Sequence, residues 1–329
     1  MTRKISKFLR LIVSALIRLA ALGLAAPVLG QSLALETAED VAEGGEPSAT
    51  LPAVQAGQVP DGSVGGMGDI NIYPRRIVLD QRNRVASVGL YNKMPFEGEY
   101  EISVANMIMT DSGQIIPFSN LSEDLGSRQV KTASDMLRWS PRRVLLPGSQ
   151  AQTVRIMVRP PANLPDGEYR AHFTAVSVPG DINDGFSIDD ALAGGDEGSG
   201  NVGVTIRPRF GISIPVIVRI GDTTLEVGLK DFALKRGDGG SQVSLTITRS
   251  GTRSAYGDLI ITAPGQDEPL VVARGVGVYP EIDARKVRFA TNPAFDLKRL
   301  TSGMSVTVAF VDDDVAPGEI LARQTFVVP

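Results

Sequence analysis

Cysteine is absent from all 329 residues, and histidine and tryptophan occur once each, as His172 and Trp139. Without cysteine no disulfide can brace the fold, so stability has to come from a buried core. A single histidine cannot build a multi-histidine zinc site or an HExxH metalloprotease motif. In "EYRAHFTAV" it reads as a half-buried strand residue rather than a general base. Trp139 reads as a packing residue. No GxSxG elbow, glycine-rich dinucleotide fingerprint or P-loop is present. No enzyme class therefore has a positive motif, and no cofactor is implied.

Positive charge is also missing from long stretches. Residues 31–69 hold seven acidic side chains and no Lys or Arg, and residues 179–201 hold six carboxylates, six glycines and no Lys or Arg. The first stretch reads as a disordered acidic leader and the second as a long loop between strands. Cations gather instead at the start, where Arg3, Lys4, Lys7 and Arg10 precede an apolar run ending at Gly30. That is the layout of a secretory signal peptide over residues 1–30. The rival reading is an uncleaved anchor, against which Arg18 stands in mid-run. Removing the five cationic residues of positions 1–30 takes the formal charge from −4 to −9. Such a balance excludes a basic nucleic-acid footprint.

From residue 70 the texture changes to short alternating runs rich in Val, Ile, Tyr and Phe, broken by Gly and Pro. The pattern predicts an all-β fold of two immunoglobulin-like sandwiches, over 70–221 and 222–329. In the first, strands are expected at 70–79, 84–91, 99–110, 152–158, 168–178 and 202–220, with a short helical piece at 134–138. Pro74 inside the first strand suggests an edge strand that changes sheets. In the second, strands are expected at 225–234, 242–249, 258–263, 270–279, 286–290, 305–312 and 320–328. "VDDDVAPGE", around Asp312 and Asp314, could offer oxygens to Ca²⁺, but it lacks EF-hand spacing and reads as a solvated hairpin turn.

The stretch 202–220, "VGVTIRPRFGISIPVIVRI", raises a separate question. Val202, Val204, Ile206, Phe210, Ile212, Ile214, Val216, Val218 and Ile220 all fall on even positions, in a row interrupted only by Pro208. At about 3.3 Å per residue such a strand would reach roughly 60 Å, more than one sandwich buries. Either Pro208 ends one ordinary strand and begins another, or part of the row is kept for a partner.

Three blocks carry a family resemblance. "INIYPRRIVLD", "LRWSPRRVLLPGSQAQTVRIMVRPPANLPDGEYRAHF" and "FGISIPVIVR" resemble the first domain of PapD-like periplasmic pilus-assembly chaperones. The middle block is the most specific, through Ser140, Pro141, Val144, Leu146, Pro147, Gly148, Gln152, Val154 and Arg155. The resemblance covers roughly 70–220, while 222–329 is similar only as a generic second sandwich. It implies a non-enzymatic periplasmic chaperone that completes pilin-like or other surface subunits with an exposed strand, until an outer-membrane usher exchanges it. It further implies that Phe210 to Val218 pack in the chaperone's own core while Val202, Val204 and Ile206 face the subunit. Family members hold the subunit's terminal carboxylate with an Arg and a Lys. Arg76 matches the Arg, but Pro215 stands where the Lys is expected, leaving Arg76, alone or with Arg209, to serve. The subunit-binding set is thus Arg76, Val202, Val204, Ile206, Arg209 and Phe210. The contrary reading of Arg76 is a solvated cation in a surface cleft. An exported structural or adhesive module on the same fold is the alternative function.

Overall fold

A computed structural model describes residues 59–65, 68–121, 130–179, 209–237 and 240–328. The expected signal peptide, most of the acidic leader, the 179–201 loop apart from its first residue, and Val202, Val204 and Ile206 lie outside the described residues. Among the described residues there is no α-helix, only short 3₁₀ turns such as Ser134–Met136, and the architecture is all-β.

The first half contributes β1 (Val64–Gly65), β2 (Ile70–Tyr73), β3 (Ile77–Leu79), β4 (Val85–Asn92), β5 (Gly98–Ala105), β6 (Met107–Met109) and β7 (Ile115–Pro117). It continues with β8 (Leu137–Ser140), β9 (Arg143–Leu146), β10 (Ala151–Val158), β11 (Gly167–Val178) and β12 (Gly211–Ile220). These form two sheets, β1-β2-β4-β10-β8 and β3-β12-β11-β5-β9, with β6 and β7 as a separate hairpin. The second half supplies β13 (Leu225–Lys235), β14 (Gln242–Gly251), β15 (Ala255–Thr262), β16 (Val271–Val278), β17 (Ala284–Ala290), β18 (Ser305–Asp312) and β19 (Ile320–Val327). Its sheets run β13-β14-β17 and β16-β15-β18-β19. The result is two immunoglobulin-like sandwiches within one compact unit.

Alternation sets which side chains meet. In β12 the even positions Ile212, Ile214, Val216, Val218 and Ile220 turn inward and join Ile72, Leu79, Leu90, Ile156 and Phe173 in the first core. The second core is built on Val243, Leu245, Ile247, Leu259, Val306 and Phe310. Burying a side chain of this size stabilises by about 1.5–3 kcal/mol, which is how a chain without disulfides holds two sandwiches.

Several expectations are revised. The strand at 70–79 divides at Pro74, with β2 in one sheet and β3 in the other, as the proline suggested. The strand at 99–110 breaks at Asn106, and Met107–Met109 turns away to pair with Ile115–Pro117. The leader's last residues are not free of structure, because Val64 and Gly65 pair with Ile72 and Asn71. Trp139 donates to the Ile102 carbonyl at 3.0 Å and packs against the first core.

Candidate functional site

The face of β11 and β12 turned away from the core is built from the odd positions of β12 and the even positions of β11. Register places Glu168 opposite Arg219, Arg170 opposite Ile217, His172 opposite Pro215 and Thr174 opposite Ser213. Alternation thus lines charge along one face. Glu168, Arg170 and His172 are nonetheless buried, at 2–3% exposure. Glu168 and Arg170 are covered because the second sandwich brings complementary groups to them.

Two ion-pair clusters make the junction. Arg170 grips Glu281 with both terminal nitrogens, one of them at 2.9 Å, donates to the Met107 carbonyl at 3.1 Å, and lies 3.8 Å from the ring centre of Tyr279. Glu281 also accepts from the Met109 N–H at 2.7 Å, which ties the β6–β7 hairpin to the same carboxylate. In the second cluster Arg219 bridges Glu168, at 3.3 Å, and Asp314. Glu168 accepts from the Ser254 N–H and hydroxyl, both at 3.1 Å. Arg253 approaches Asp314 at 3.7 Å. Burial alone would raise the Asp314 carboxyl, but the hydrogen bond from Arg219 and the charge of Arg76 outweigh it and hold Asp314 below the usual carboxylate range.

Arg76 belongs to this second cluster. Its terminal nitrogens meet the two carboxylate oxygens of Asp314 at 3.1 Å, one also donates to Ser254 at 3.3 Å, and the guanidinium stacks 4.4 Å from the Tyr256 ring centre. Its side chain is 7% exposed, so it is not a solvated cation in a surface cleft. The reason lies in "VDDDV", which is not the solvated turn expected of it. Asp312 is buried and accepts from the N–H groups of Asp314 and Ala316, which turns the Asp314 carboxylate inward; of the three aspartates only Asp313 is exposed.

His172 sits on the same face as Arg170, between Ala105 of β5 and Pro215 of β12. Its Nδ1 has no hydrogen-bond partner among the described residues. Burial, with the nearby charge of Arg170, pushes its pKa down to about 3, so the ring is neutral and is fully rather than half buried.

The other end of β12 is different. Phe210 is 37% exposed, not packed in the core with Ile212 to Val218. A Cβ on Gly68 would stand 3.0 Å from the Cβ of Phe210, so the chain entering β2 passes close beside it. Arg209 is exposed, donates to the Ser177 carbonyl at 3.2 Å and reaches Glu101 at 3.5 Å. Such a surface pair is worth about 0–1 kcal/mol.

Main-chain bonding along β12 identifies what is left open. Ser177 N–H donates to Phe210 C=O, so even residues of β12 bond toward β11 and odd residues toward the opposite edge. On that edge β3 pairs in parallel with Val216, Ile217 and Val218 only. The N–H and C=O groups of Gly211 and Ser213 therefore face an edge with no partner strand among the described residues. Of the residues expected to bind a partner, the structure gathers Arg209 and Phe210 at this open end and Arg76 at the charged junction. Glu168, Arg170, Arg219 and Glu281 were not singled out from sequence, and Asp314 was read there only as part of a solvated turn. The available signal was polar side chains on one face of "GEYRAHF", which calls for a polar cover without saying which residues supply it.

No family model matches the sequence, and no curated protein matches it. Among solved structures, the fold is similar to the CupB2 chaperone of Pseudomonas aeruginosa, at 14% identity over 77% of this chain and 96% of that chain, with a TM-score of 0.35. It is similar to the E. coli chaperone DraB at 14% identity over 78% of this chain and 97% of that chain, TM-score 0.36. A chain of the CsuC–CsuE chaperone–tip adhesion subunit pre-assembly complex of Acinetobacter baumannii is similar at 11% identity over 79% of this chain and 98% of that chain, TM-score 0.37.

Proposed function

We propose that the protein is a periplasmic chaperone that binds and caps incomplete surface subunits of the pilin type by lending them a strand edge. The observation that carries this reading is that, among the described residues, no strand pairs with the edge at Gly211 and Ser213, in a sandwich where β3 closes the rest of the β12 edge. An exposed row of main-chain donors and acceptors is a template for another chain. Strand addition uses it for affinity and takes specificity from alternate side chains. In sequence the edge continues directly from the apolar row Val202, Val204 and Ile206. We assign that row, with Arg209 and Phe210, to the subunit contact. Arg76 enters the same site only where a subunit carboxylate displaces Asp314. An outer-membrane usher is the expected acceptor of the held subunit.

The test uses a pilin-type subunit whose sandwich lacks its last strand. Wild-type protein captures it, and the double variant Val204→Asp with Ile206→Asp weakens capture by at least about a hundredfold, because two apolar side chains worth roughly 1.5–3 kcal/mol each are lost from the interface. The melting temperature of the free protein stays within a few degrees. Full-strength capture by a folded double variant overturns the reading. Failure of the wild type to capture any such subunit favours the structural or adhesive module instead.

A further inference from the structure

We infer that the outer face of sheet β1-β2-β4-β10-β8 is a docking surface for an anionic bilayer, held by Arg138, Arg155 and Arg159 around the apolar tips of Met157 and Val85. The inference goes beyond the chaperone reading and does not rest on it.

Alternation in β10 sends Val154, Ile156 and Val158 into the first core and leaves Thr153, Arg155 and Met157 on the outer side, with Arg159 next in the row. Register then sets their neighbours. Met157 lies opposite Val85 on β4 and Arg138 on β8, while Arg155 lies opposite Ser87 and Ser140. Arg159 follows just past the strand, where its N–H donates to the Met136 carbonyl at 2.8 Å. Three guanidinium groups therefore surround one thioether on one sheet face. None of the five strands of this sheet contains an Asp or Glu.

These cations are not spent on the fold. The side chains of Arg155 and Arg159 have no hydrogen-bond or ion-pair partner among the described residues. Arg138 donates only to the main-chain carbonyls of Asp135 and Leu137, which leaves its charge uncompensated. Asp80 and Asp135 border the face in the turns before β4 and β8. Asp80 accepts from the N–H groups of Arg82 and Asn83, and Asp135 from the Ser134 hydroxyl. In a chain of formal charge −4, a face without acids turns the molecule toward an anionic surface.

The apolar centre favours lipid over an acidic polypeptide. Val85 is 44% exposed and Met157 half-buried, and both are ringed by guanidinium groups that can hold phosphate bidentately. Charge around an apolar tip matches the layering of a bilayer interface, with headgroups above hydrocarbon. The face belongs to the sheet opposite β11 and β12, so a protein seated on it keeps the charged junction and Phe210 uncovered.

Because the chain has no cysteine, Val85→Cys and, on the second sandwich, Val272→Cys can each carry a single environment-sensitive dye. Reading the face itself matters, since residues 1–30 are basic and apolar enough to bind vesicles on their own. On the full chain, vesicles of phosphatidylcholine with phosphatidylglycerol should blue-shift the dye at position 85 and not the one at 272. Pure phosphatidylcholine should shift neither. Arg138→Gln, Arg155→Gln and Arg159→Gln together should weaken the response at 85 by about fivefold per arginine, about a hundredfold in all, with the melting curve unchanged. If the triple variant does not fold, Arg155→Gln with Arg159→Gln, which loses no bond, should still weaken it by about twenty-fivefold. No shift at 85, equal shifts at both positions, or variants that respond like the wild type overturn the inference and leave the chaperone reading intact. Polyglutamate that binds the wild type but not the variant, with no vesicle response at 85, assigns the face to an acidic polypeptide and overturns it as well.

Discussion

The two ends of β12 carry the same inward pattern and opposite surroundings. At one end Arg219 is buried among Glu168, Asp314 and Arg76, and β3 closes the edge. At the other, Gly211 is paired with no strand on that edge among the described residues, and Phe210 is partly in solvent. Even-numbered residues pack the core at both ends, so the core does not distinguish them. What differs is the cover that distant parts of the chain bring to the outer face and edge, from β3, from Ser254 and from the turn at Asp314. A strand thus acquires a structural half and an available half without any change in its own periodicity.

The largest expected effect is at the closed end. Asp314→Ala leaves three guanidinium groups facing one another without their shared carboxylate, and removing one partner of a buried pair costs about 3–5 kcal/mol. Urea unfolding should show that loss. A cost below about 1 kcal/mol would mean that the junction is no firmer than the open end. Glu281→Gln keeps the shape and an acceptor but removes the charge from the Arg170 pair. A smaller loss, about 1.5–3 kcal/mol, is expected by the same measurement.

Acid probes the same face through His172. Its pKa is about 3 when folded and about 6.5 when unfolded, so the unfolded chain takes the proton first. Stability should fall as pH drops below 6.5 and level off near 3, at about 1.4 kcal/mol per pH unit, or about 2 kcal/mol by pH 5. His172→Leu should remove that slope between pH 6.5 and 5, a window above the range in which Asp314 titrates. An unchanged slope would place the titrating group elsewhere. The smallest effect belongs to the open end. Phe210→Ala should change stability by no more than about 0.5 kcal/mol, and a larger loss would show that this end is packed after all.

Much of the fold was legible because period-2 alternation is a local signal. The strands of the second half and the inward row of β12 follow from it, and the break at Pro74 follows from the missing N–H of proline. The β6–β7 hairpin was hidden, since "SVANMIMT" carries no Gly or Pro to mark a break at Asn106, and the departure is tied to the second half through Met109. The junction was hidden for a related reason. An arginine such as Arg76 and an aspartate 238 residues away carry no mark of being neighbours, and "VDDDV" resembles any acidic turn until the Asp312 hydrogen bonds orient it. The open edge could be suspected from the length of the apolar row, but where it closes required the register of β3.

Met109 has a consequence for how the protein is made. It leaves the first half on the β6–β7 hairpin and becomes part of the second core, beside Val243 to Phe310. Synthesis runs from the N-terminus, so this side chain is in place before its neighbours exist. The late half condenses around a plug supplied in advance by the early one. A gene fragment encoding 222–329 alone would lack that plug and leave a hole the size of a methionine side chain, a defect worth about 2–5 kcal/mol. The order of the two halves in the chain is therefore also an order of assembly, and exchanging them by circular permutation should slow folding even where every contact is eventually restored.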